Sequence, residues 1–161
     1  MQGTGDAVFC PSGFTTRGMI VTILWNLEGR PAIAGSIPFT DVPEDAYCAQ
    51  AVKWASGNDI VTGYENGEFR PGDPVKREQM AAILFNYARF KGYDVSGHEN
   101  ADFSGFKDTS EMSAYAFHAM RWCAGNGVIS GKGGGILDPR GKATRGQTAK
   151  MLYHFCENIA G

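Results

Sequence analysis

Five stretches of this chain place apolar residues along one side of a helix. Ile20, Ile23, Leu24 and Leu27 recur at i, i+3, i+4 and i+7, as do Met80, Ile83, Leu84 and Tyr87. Thr148, Met151, Leu152 and Phe155 follow the same spacing. A second spacing, i, i+4, i+7 and i+8, links Tyr47, Ala51, Trp54 and Ala55, and again Tyr115, Ala119, Trp122 and Cys123. Each set predicts an amphipathic helix with that face in a core. Between them lie turn signals: Gly57-Asn58-Asp59 and Gly125-Asn126-Gly127 stop a helix. Ile60-Val61-Thr62-Gly63 and Val128-Ile129-Ser130-Gly131 read as short β-like runs, each followed by a tight loop.

The pattern is a repeat. Phe69-Arg70-Pro71, with Arg77 six residues after the proline, returns 68 residues later as Leu137-Asp138-Pro139 and Arg145. It also stands 60 residues earlier, as Phe9-Cys10-Pro11 and Arg17. One helix-loop-helix unit is therefore laid down about two and a half times, and function is expected where copies meet. Residues 1–30 hold the second half of a first copy, in which Gly3 aligns with Gly63. Residues 39–91 hold a second copy and 106–161 a third, joined by connectors 31–38 and 92–105. The first copy lacks its first helix, so the chain reads as cut from something longer or as borrowing that helix. The second connector is rich in Gly, Asp and Asn and is expected to be a mobile loop.

The unit resembles the S-layer homology module of bacterial surface proteins. The resemblance is carried by Phe39-Thr40-Asp41-Val42-Pro43, Ala51-Val52-Lys53-Trp54-Ala55, Ile60-Val61-Thr62-Gly63, Gly67-Glu68-Phe69-Arg70-Pro71 and Val75-Lys76-Arg77-Glu78-Gln79, and by the same string from Phe106 to Gln147. It implies a mainly α fold of tandem helix-loop-helix repeats with short β-like segments, the second helices gathering into a pseudo-threefold bundle. It implies non-covalent, non-catalytic anchoring of a bacterial surface protein to anionic, often pyruvylated, secondary cell-wall polysaccharide through grooves between repeats. The expected location is the extracellular face of the cell wall, with the targeting signal outside this chain.

The family signature Thr-Arg-Ala-Glu stands here as Thr16-Arg17-Gly18-Met19, Lys76-Arg77-Glu78-Gln79 and Thr144-Arg145-Gly146-Gln147. Thr at the cap with Glu or Gln three residues on makes a capping box, complete only in the third copy. Arg alone is kept in all three. At a helix N-terminus, free backbone N–H groups favour an anion, and a guanidinium can grip a carboxylate with two bonds. Arg17, Arg77 and Arg145 are therefore the expected anion contacts. Trp54 and Trp122 are the aromatic candidates for a sugar face, with Asp41, Asp108, Gly63 and Gly131 around them. On this reading Arg77→Ala and Arg145→Ala weaken wall binding and leave the fold intact.

Each of these residues also has a structural reading. The tryptophans sit at core spacing, which favours burial over stacking. The aspartates suit turns, the glycines suit backbone that other residues avoid, and each arginine could bridge to an aspartate of a neighbouring copy.

Composition removes other classes. The 161 residues carry a net charge of −2 and no Lys/Arg run, which argues against nucleic acid or an anionic membrane. Apolar runs such as Ala81 to Phe85 are too short for membrane insertion. The four cysteines have no metal spacing and occupy non-equivalent positions; small apolar fillers are the favoured reading, with disulfides left open. No catalytic string occurs, and His98, His118 and His154 are scattered, so no enzyme, metal or cofactor is expected. Tyr64 to Glu68 and Lys132 to Ile136 lack the alternating oxygen ligands of a calcium module. One rival stands: an assembly or adhesion module that binds protein, self-association through the incomplete first repeat included.

Overall fold

The computed structural model describes residues 9–97 and 101–161. Gly3 and His98 lie outside the described residues. The chain is mainly helical. In order come α1 (Arg17–Leu27), α2 (Ala49–Gly57), α3 (Arg77–Phe90), α4 (Phe117–Gly125) and α5 (Arg145–Phe155). Two 3₁₀ turns, Thr109–Glu111 and Ala114–Ala116, precede α4, and a π turn, Cys156–Ala160, extends α5. No helix among the described residues is long and apolar enough to cross a membrane.

The helices begin and end where local chemistry dictates. The Thr16 and Thr144 hydroxyls accept the backbone N–H of Met19 and Gln147. Gln147 returns its side-chain oxygen to the Thr144 N–H at 3.2 Å, completing the box. Gln79 makes the same return bond to Lys76 N–H at 3.0 Å, and a lysine ammonium has no lone pair with which to reciprocate. At the ends of α2 and α4, the amides of Asn58 and Asn126 donate to the Trp54 and Trp122 carbonyls. The left-handed residue there is Asp59 (φ 55°) or Gly127 (φ 70°), one position beyond the asparagine.

The runs at 60–63 and 128–131 form no strands. Among the described residues, extended pairing is confined to three isolated antiparallel bridges, Phe14 with Thr144, Thr16 with Pro74 and Lys76 with Lys142, all at the entries to second helices. A four-residue run without a neighbour's free edge has nothing to pair with.

Contacts divide the described chain into two units, residues 15–74 and residues 9–14 with 75–161. In the first, α2 packs on α1 and buries Val21, Leu24, Val52, Trp54 and Ala55. In the second, α4 packs on α3. Phe85 meets His118 and Trp122 edge-on at 5.1 and 5.4 Å, and the Cys123 thiol reaches the Ala81 carbonyl at 3.6 Å. Glu78, buried in the first turn of α3, accepts from the Ser113 N–H and hydroxyl at 2.8 and 2.9 Å. Phe155 closes this core against Tyr87 and Trp122.

The predicted faces hold with three corrections. Tyr47 and Tyr115 are 67% and 61% exposed and precede their helices, which start later than the spacing implied. Leu27, at the last position of α1, is 58% exposed, and Ile23 and Leu152 are only half-buried. All four thiols are free. Cys48 and Cys123 are buried fillers, and burial pushes the Cys123 thiol well above its ordinary range.

Candidate functional site

Each second helix meets the loop of another copy through two main-chain bonds and an arginine Nε bond. The residue before the loop proline is left-handed in all three copies: Cys10 (φ 50°), Arg70 (φ 58°) and Asp138 (φ 55°). For non-glycine residues such backbone costs about 1 kcal/mol or more and persists only when its surroundings impose it. What imposes it in the second and third copies is an aspartate. Asp41 accepts the N–H groups of Phe69 and Arg70, both at 2.7 Å. Asp108 accepts those of Leu137 and Asp138 at 2.9 and 2.7 Å. Burial works to raise the Asp108 pKa, but those two amides and the Arg77 charge outweigh it and hold the carboxyl below its usual range.

The loop so formed presents its carbonyls to a helix N-terminus. Arg17 N–H donates to Asp73 O and Gly18 N–H to Pro71 O, both at 2.9 Å. Arg77 and Glu78 repeat this with Gly141 O and Pro139 O, and Arg145 and Gly146 with Gly13 O and Pro11 O. The first-turn donors expected to hold an anion are thus taken by main-chain carbonyls.

The arginine side chains do the same. Arg17 Nε donates to Phe69 O at 2.8 Å and Nη2 to Thr62 O at 3.2 Å. Arg77 Nε donates to Leu137 O at 3.0 Å and Nη2 to Ser130 O at 2.6 Å. Arg145 Nε donates to Phe9 O at 3.0 Å. Each arginine thus clasps the next copy's loop, and the third copy's arginine returns to the first. All three are buried, Arg77 to 3% exposure. Burial lowers the Arg77 pKa, with Asp138 and Asp108 opposing, and the guanidinium stays charged. The expectation that arginine removal leaves the fold intact is replaced: truncation strands buried carbonyls.

The other candidates surround these clasps. Gly63 and Gly131 follow the clasped Thr62 and Ser130, and the Phe39 and Phe106 rings press so close that a Cβ at either position would collide. Trp54 and Trp122 are 2% and 1% exposed and offer no face to solvent.

The Arg77 clasp borders open space. A cleft of about 240 Å³ is lined by Arg77, Ser130, Gly131, Lys132, Gln147 and Lys150, among others. Lys132 pairs with Asp138 at 2.7 Å, and Lys150 stands exposed on α5. The cleft lining carries three cations and no carboxylate, with Asp138 and Asp108 behind it, which gives the cleft a positive wall. Repetition could not reveal the lysines: the positions of Lys132 and Lys150 are Tyr64 and Ala82 in the second copy. The Arg17 clasp is walled instead by aromatic rings. Its guanidinium lies 4.9 Å from the Tyr64 centroid and 4.6 Å from that of Phe69.

Comparison with known proteins agrees with the repeat. A "Surface-layer 125 kDa protein" of Lysinibacillus sphaericus is 28% identical over 162 residues, covering 99% of this chain and 13% of that protein. An "Endoglucanase" of Bacillus sp. (strain KSM-635) is 30% identical over 160 residues, covering 99% of this chain and 17% of that protein. A "Cellulosome-anchoring protein" of Acetivibrio thermocellus is 24% identical over 91 residues, 54% of this chain and 20% of that protein. The chain thus spans a fifth or less of the length of these relatives. The model of the S-layer homology domain matches residues 38–81 and 105–149, more than half of the chain and the bulk of its two full copies. The chain belongs to the S-layer homology domain family.

Proposed function

We propose that this chain is a non-catalytic module that holds a bacterial surface protein to its cell wall by binding anionic wall polysaccharide. The observation that carries the reading is the cationic cleft beside Arg77, in a member of a family whose relatives here include a surface-layer protein and a cellulosome-anchoring protein. In this reading Lys150 and Lys132 meet the acidic group of the sugar. Arg77 and Gly131 shape the floor, and Arg77 adds charge from below. Asp41, Asp108, Arg17 and Arg145 act one step back, by holding the loops in the shape the clefts need. Trp54 and Trp122 support the helices behind them.

The test is sedimentation with purified wall sacculi, before and after the non-peptidoglycan polymer is stripped. Binding is expected to the first and not the second, and to weaken as salt rises. Equal binding to both preparations overturns the polysaccharide reading.

A further inference from the structure

The seam between the second and third copies holds two lysines face to face. The Ala143 N–H donates to Val75 O and the Arg77 N–H to Gly141 O, both at 2.9 Å. Those bonds flank Lys76 and Lys142 and make them the non-hydrogen-bonded pair of an antiparallel bridge. In such a pair the Cα atoms stand about 4.5 Å apart, and both side chains leave on one face. Both lysines are exposed, and neither ammonium forms an ion pair among the described residues. Acids of the flanking segments are engaged elsewhere, Glu78 with Ser113 and Asp138 with Lys132.

The other two bridges, Thr16 with Pro74 and Phe14 with Thr144, use the matching positions and carry no charge. Lys76 stands where Thr16 and Thr144 cap α1 and α5, so α3 has no hydroxyl to accept a first-turn N–H. Lys142 stands where the other copies have Pro74 and Phe14. The pair therefore costs the fold twice, in a lost cap and in like charges held opposite one another. Phe14 completes the surface. It pairs with Thr144, two residues on from Lys142 and so on the same face of that short segment. Its ring is 48% exposed, and the Lys142 ammonium lies 5.4 Å from its centroid.

We propose that Lys76, Lys142 and Phe14 form a second anion site, apart from the cleft beside Arg77, for the phosphate group of a soluble organic phosphate. A compact tetrahedral anion suits two point-like ammonium groups, whereas a planar carboxylate is matched better by an arginine fork. Phosphate between the lysines offsets the repulsion that the bridge imposes. The Phe14 ring gives the carbon skeleton beside the phosphate an apolar surface. None of the three residues lines the Arg77 cleft, so the site does not depend on wall binding there.

The test titrates glycerol 3-phosphate, inorganic phosphate and acetate into the full chain at constant ionic strength, with amide NMR shifts and melting temperature as readouts. Saturable shifts are expected at Phe14, Lys76 and Lys142, with glycerol 3-phosphate binding tightest and acetate weakest. Lys142→Gln should weaken phosphate binding at least about tenfold. Lys76→Thr should do the same and, by restoring the repeat's own cap, raise the phosphate-free melting temperature by about 2–4 °C. Phe14→Ala should erase the preference for organic over inorganic phosphate. Absence of saturable shifts overturns the proposal, as does binding that both lysine variants leave unchanged. Acetate binding as tightly as phosphate overturns the assignment to phosphate. Capture by phosphatidylglycerol vesicles without binding of glycerol 3-phosphate overturns the assignment to a soluble ligand.

Discussion

The Arg17 and Arg77 clasps use the same bonds and have different walls. In both, a first-turn arginine donates to two carbonyls of the next copy, one in a loop held by an aspartate and one in the short run before it. Around Arg17 stand Tyr64 and Phe69, and Arg70 covers the Tyr64 ring at 4.4 Å. Around Arg77 stand Leu137, Lys132 and Lys150. The repeat thus separates two tasks. The clasp joins one copy to the next, and the wall around it varies from copy to copy. An aromatic wall stacks on a buried guanidinium, whereas a lysine wall sets exposed ammonium groups beside one that is itself buried.

The sharpest challenge to this separation is Arg77→Ala. It should destabilise the protein by about 3 kcal/mol in urea denaturation, since two carbonyls lose a charged donor inside the fold. Arg77→Lys should recover only part of this, because an ammonium cannot span both carbonyls with the fork of a guanidinium. Full stability in both variants would show that the clasp is dispensable.

Next is Asp108→Asn, which should cost about 1–2 kcal/mol by weakening two charge-assisted bonds to the loop amides. Its carboxyl is held below the ordinary range when folded, so its contribution is present above about pH 4 and fades as pH falls through the lower folded value. Stability of the wild type measured between pH 6 and pH 2 should therefore drop more steeply than that of Asp108→Asn. Parallel curves would sink this assignment.

Tyr64→Ala tests the aromatic wall and should cost about 1 kcal/mol through lost cation–π contact with Arg17 and Arg70. Lys150→Glu is expected to leave stability within about 0.5 kcal/mol, as for most exposed positions. It should nonetheless remove most binding to wall polymer, while Tyr64→Ala should not. Wall binding unchanged by Lys150→Glu would separate the cleft beside Arg77 from the ligand.

Much of the fold was legible because the repeat is written in local spacing. The start of α5 at Arg145 follows from Thr144 and Gln147, that of α3 at Arg77 from the Gln79 return bond and its match to α5, and their buried faces follow from a 3.6-residue period. The starts of α2 and α4 were misplaced, since Tyr47 continues the apolar spacing and yet lies before the helix, its hydroxyl over Gly18. The site was legible in its arginines and not in their partners. Main-chain carbonyls carry no residue identity, so no motif could announce that Phe69 O, Leu137 O and Phe9 O are what Arg17, Arg77 and Arg145 hold.

What the chain's own letters determined is periodic and near at hand: three arginine-led helices, two tryptophan helices, and the loops between them. Tertiary structure decided which loop each arginine reaches, at separations of 52, 60 and 136 residues for the Nε bonds. It also brought Lys132 and Lys150 to one cleft and, among the described residues, packed a helix on α3 and none in the same way on α5. The reason is physical. Helical period and capping act within about one turn, whereas burial and charge convergence depend on which surfaces the folded chain brings together.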